Sequence, residues 1–69
     1  MYAIYRTTYM RREFVTSVPT LAEAEPRIAQ IGSIVLFEID ADNPNCADCC
    51  VLVGGERGEL EIYSVEPAQ

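Results

Sequence analysis

Ser33-Ile34-Val35-Leu36-Phe37-Glu38-Ile39 reads as a β-strand, and both of its sides are apolar. Alternate residues of a strand face opposite ways. Ile34 and Leu36 therefore share one side, and Val35, Phe37 and Ile39 share the other. Cys49-Cys50-Val51-Leu52-Val53 repeats the pattern. Two such strands call for cover on both faces of a sheet. The chain offers one segment with helical periodicity, residues 21–31, where Leu21, Ala24, Ile28 and Ile31 fall on one helical face. One helix covers one face. A second copy of the chain or a sheet curled into a partial barrel would cover the other, and a homodimer is the expected arrangement.

The remaining segments fit the same plan. Residues 2–18 are rich in strand formers (Tyr2, Ile4, Tyr5, Phe14, Val15, Val18) but too long for one ordinary strand, so a hairpin reversal is expected near Thr8 to Arg12. Thr20-Leu21-Ala22-Glu23 matches a capping box at the helix start. Gly32 suits a C′ residue with positive φ. Pro26 should kink the helix or delay its start, because it lacks a backbone N–H. Asp40-Ala41-Asp42-Asn43-Pro44-Asn45 is dense in turn formers. Gly54-Gly55-Glu56-Arg57-Gly58 reads as a hairpin connection, and Leu60 to Val65 as the last strand, stopped by Pro67. That strand places Leu60 and Ile62 on one side and Glu59, Glu61 and Tyr63 on the other. The order β-β-α-β-β-β gives an α+β class: a small antiparallel sheet with one amphipathic helix packed on one face, forming a single domain over residues 1–69.

Composition narrows the function classes. Hydrophobic residues make up 49% of the 69, which argues against disorder. A core this small gives about 3–5 kcal/mol of net stability unless something else supports it. The longest apolar run, Ile34 to Phe37, is far short of a membrane span. The N-terminal residues lack a basic region followed by an apolar one, so the expected compartment is the cytoplasm, with reduced thiols. Lysine and histidine are absent, which removes the commonest general base and the commonest metal ligand. A cation set made only of arginine suits a GC-rich bacterial or phage gene.

Charge is segregated along the chain. Residues 1–37 hold four arginines against three acids; residues 38–69 hold eight acids against Arg57 alone. The net charge of −6 opposes phosphate binding, so direct nucleic-acid recognition by Arg11, Arg12, Tyr9 and Phe14 is disfavoured. A local basic patch that pairs with the acidic face of another chain is the better reading of that cluster.

Cys46, Cys49 and Cys50 all lie within one short run inside the acidic half. C-x-x-C is half of a zinc site, and no second Cys or His pair completes it. Adjacent Cys49 and Cys50 would also face opposite sides of a strand. Nearby Asp40, Asp42 and Asp48 disfavour a thiolate, which weakens a redox reading. A thiol or zinc site here is the alternative; a buried, small hydrophobic role for one of Cys49 and Cys50 is preferred. Asp40, Asp42 and Asn43 fail the calcium-loop spacing at Pro44 and Val51. Gly54 to Gly58 precedes no helix and has two acids within reach, so it is a turn rather than a phosphate cradle.

The expected function is a non-enzymatic interaction or regulatory role without a cofactor. A homodimer would bind a protein partner through an acidic, tyrosine-bearing sheet surface made of Glu56, Arg57, Glu59, Glu61 and Tyr63. A second alternative is an acidic nucleic-acid mimic that blocks a basic cleft. An enzyme built on carboxylates alone ranks last, because a chain this short leaves little room for a pocket that would raise one pKa.

Overall fold

The structure, a computed structural model, describes residues 1–68. Five strands follow in the order β1 (Tyr2–Thr8), β2 (Arg11–Val18), β3 (Ser33–Ile39), β4 (Ala47–Val53) and β5 (Glu59–Pro67). They form one sheet, ordered β2-β1-β5-β4-β3, with every neighbouring pair antiparallel. The C-terminal strand thus lies at the centre, between the N-terminal hairpin and the β3–β4 pair. This is the small α+β class with its expected element order. The sheet does not close on itself: β2 and β3 are its edges.

The β1–β2 reversal falls at Tyr9-Met10. Neither residue is a usual turn former, and Met10 takes φ +66°, a region that L-residues enter at a cost. The β4–β5 reversal uses glycine where positive φ is needed, with Gly54 at +93° and Gly55 at +71°.

The helical segment is shorter than its periodicity implies. A 3₁₀ turn spans Leu21–Glu23, and α1 spans Ala24–Ile28. Pro26 explains the delay: with the start at Ala24, the missing N–H falls among the first-turn donors that have no helical partner anyway. The expected capping box is not formed. The Thr20 hydroxyl instead donates to the Glu23 carboxylate at 3.2 Å, leaving the backbone donors uncapped by side chains. Gly32 also departs from expectation, since positive φ among the glycines is confined to Gly54 and Gly55. Its small size serves a close approach: a Cβ there would lie 2.5 Å from the Leu52 carbonyl oxygen.

The core lies between this helical segment and one face of the sheet. Ile4, Val18, Ala47, Cys49, Val51, Tyr63 and Val65 are buried from the strands, with Ala24 and Ile28 closing over them. Leu21, Ile31, Ile34 and Phe37 pack at its margin. Burying the larger aliphatic ones, Ile4, Val18, Ile28, Val51 and Val65, contributes roughly 1.5–3 kcal/mol each.

The opposite face has no such cover. Leu60, Ile62 and Leu36 point there and remain 59%, 47% and 53% exposed. Cys50 and Leu52 lie beside them through the rungs Cys50–Ile62, Leu52–Leu60 and Leu36–Cys50. Each edge strand carries one residue without a rung, Val15 in β2 and Val35 in β3, where the register shifts. Such bulges twist an edge and discourage further strands from adding to it.

Candidate interaction surface

β5 carries three of the five residues expected at the surface, and they share one side as the alternation requires. Along that side burial falls steadily. Val65 and Tyr63 are buried, Glu61 is half-buried and Glu59 is exposed. The helix-facing side of the central strand therefore runs out of the core into an acidic ledge. Glu56 and Arg57 stand in the next turn, a 3₁₀ segment over Gly55–Arg57, both exposed.

Tyr63 belongs to the core rather than to the surface, with 2% of its area exposed. Its hydroxyl donates to Glu61 Oε1 at 2.8 Å. Burial, and then the neighbouring Glu61 carboxylate, push its pKa up to about 12, so it remains a hydrogen-bond donor at neutral pH. Arg6, opposite Tyr63 on β1, reaches the other Glu61 oxygen at 3.4 Å and Glu13 at 2.6 Å. Glu13, the guanidinium's main partner, holds Arg6 above its usual pKa. Glu61 is thus fixed from two sides, by a tyrosine and an arginine on neighbouring strands. Sequence reading placed Glu61 and Tyr63 together but missed Arg6 and Glu13. Their meeting depends on β5 pairing with β1, a contact between the two ends of the chain that no local pattern announces.

Among the described residues, the remaining ion pair is Arg12–Glu66 at 2.6 Å on the other face. Arg12 also lies over the Tyr5 ring, 4.1 Å from its centre, and Phe14 meets that ring edge-on. Of the expected cluster of Arg11, Arg12, Tyr9 and Phe14, Arg12 and Phe14 thus meet on Tyr5, while Arg11 falls on the other side of β2. Tyr9 stands apart at the exposed hairpin tip.

The three thiols do not converge. Cys49 is buried opposite Tyr63, Cys50 lies on the open face and Cys46 precedes β4. Burial, with Glu25 adding to it, pushes the Cys49 pKa up to about 11. The described residues contain no group of three or more cysteine or acidic side chains placed to hold a metal ion. The Asp40–Asn45 loop closes on itself: Asp40 Oδ1 accepts from the Asp42 N–H at 2.9 Å, and Asn43 Oδ1 from the Asn45 N–H at 3.2 Å. These are turn-building bonds of short polar side chains. A shallow cavity of about 270 Å³ lies between the end of β2 and the helix, lined by Val18, Pro19, Glu23, Pro26, Arg27 and Gln30. No described helix is long and apolar enough to cross a membrane.

Comparison with protein-family models, with curated proteins and with solved structures finds no match to this chain.

Proposed function

We propose that this chain is a small non-enzymatic interaction module that docks a protein partner bearing a basic surface on the acidic ledge of β5. The observation that carries the reading is the continuity of that ledge with the core. Tyr63 is anchored in the interior, fixes Glu61, and leaves Glu59 and Glu56 projecting as charges without an ion-pair partner among the described residues. A rigid support lowers the ordering cost of binding, and excess charge speeds encounter with a cationic partner. In this reading Tyr63 acts beneath the surface, as the post that orients Glu61.

The ionisable groups with raised pKa also favour binding over chemistry. Cys49 and Tyr63 are both held protonated at neutral pH, and both face the packed interior. Neither is poised as a nucleophile or base.

Glu56→Gln combined with Glu59→Gln tests the ledge, because both residues are exposed and the Glu61 network is left intact. Partners captured from lysate of the source cell should be recovered several-fold less by the double variant, and wild-type capture should weaken at high salt. The melting temperature should stay within about 2 °C of wild type. Equal recovery of every partner by both proteins would remove the acidic ledge from the function.

A further inference from the structure

We infer that the open face of the sheet is the seat of a second copy of this chain, packed sheet against sheet about a two-fold axis along β5. This face is opposite to the acidic ledge, so the inference goes beyond the partner-binding reading.

Leu36, Leu60 and Ile62 are each about half exposed, and Cys50 and Leu52 extend the same patch. Together they show on the order of 400 Å² of apolar surface, within the range of the largest patches on monomers, which are often functional. Thr7 and Phe14 on one flank and Glu38 and Asp48 on the other bring the face towards the roughly 800 Å² per partner of a standard interface.

The half of the open face on β1 and β2 carries Arg12, still half exposed despite its bond to Glu66. The half on β3 and β4 carries Glu38 and Asp48, which are exposed and sit directly across one rung from each other. Like charges in that position repel. A two-fold axis along the central strand sets β2 of one copy over β3 of the other. Cross-strand rows keep their level under this axis, so Tyr5, on the row Phe14–Tyr5–Ser64–Asp48–Glu38, comes opposite Asp48 twice; the Arg12 guanidinium that lies over Tyr5 then faces Asp48 with Glu38 beside it, and Leu60 and Ile62 sit near the axis. A patch that complements itself in this way is what a closed two-fold interface requires.

Edge-to-edge pairing would use β2 or β3, and both are interrupted by bulges. The shared face remains, in the aligned packing common to sandwiches.

Sedimentation velocity at about 100 µM should give twice the chain mass of 7.7 kDa. Ile62→Glu should be monomeric at that concentration, with a dissociation constant raised at least about 100-fold and an unchanged circular dichroism spectrum. Should that variant fail to fold, Ile62→Thr keeps the branched strand-forming shape and should still weaken the dimer about 10-fold. Arg12→Glu should weaken it too, and adding Glu38→Arg should restore part of the loss. A wild-type monomer at that concentration would overturn the inference. So would a dimer indifferent to both Ile62 variants, which would place the contact elsewhere. A monomer that binds a different protein through Leu60 and Ile62 would likewise replace the second copy with that partner.

Discussion

Tyr63 links the interior to the ledge through one hydroxyl, and it gives the fold a pH signature that it shares with Cys49. Both are acids that are neutral when protonated. Burial raises the thiol from 9.0 to about 11 and the phenol from 10.0 to about 12. The unfolded chain releases these protons first, so unfolding gains as pH rises. The two contributions are complete below the unfolded values and are lost as pH climbs through about 9–11 for Cys49 and about 10–12 for Tyr63. Urea unfolding midpoints should accordingly fall across that window. Tyr63→Phe should cost about 1 kcal/mol at neutral pH, from the lost bond to Glu61, and should flatten the upper part of the alkaline decline. An alkaline profile identical in the two proteins would detach Tyr63 from this effect. At this scale the sequence was partly legible. Alternation put Tyr63 beside Glu59 and Glu61, yet it could not say which side of β5 the helix would cover. Tyr63 was therefore expected at the surface and lies in the core.

The strands were legible because their residues carry the signal locally, as β3 and β4 did through branched and aliphatic runs. The β1–β2 hairpin was found from length alone, since Tyr9-Met10 offers no turn chemistry. Its conformation is imposed by the pairing of Tyr2–Thr8 with Arg11–Val18. The helical segment was overestimated for the opposite reason. Its apolar spacing persists to Ile31, but Pro26 sets where a helix can start and Gly32 is held against β4 by close contact. The rung that joins Glu38 to Asp48 depends on register, which no local pattern supplied. It also makes a test at the scale of the β3–β4 pair. In dilute protein, where copies are apart, Glu38→Gln should remove a cross-strand repulsion and raise the melting temperature by about 2 °C, corresponding to a few tenths of a kcal/mol. A lower melting temperature in the dilute variant would mean that Glu38 is already compensated within its own chain.

The whole molecule is two layers, one sheet and one helical segment, with the second face of the sheet left open. Two strands apolar on both sides beside a single helix announced this imbalance in the sequence. The structure locates it on the Leu36, Leu60 and Ile62 face, and both the ledge and the proposed pairing follow from that sidedness. The three cysteines report it directly, because Cys49 and Cys50 are neighbours in sequence on opposite faces of one strand. Native alkylation of dilute protein, read residue by residue by mass spectrometry, is the most direct measurement. Cys50 and Cys46 should be modified readily, while Cys49, buried and with its pKa raised to about 11, should react only as the protein unfolds. Modification of Cys49 as fast as Cys50 in the folded protein, or protection of Cys50 with Cys49 exposed, would contradict the assignment of the covered and open faces.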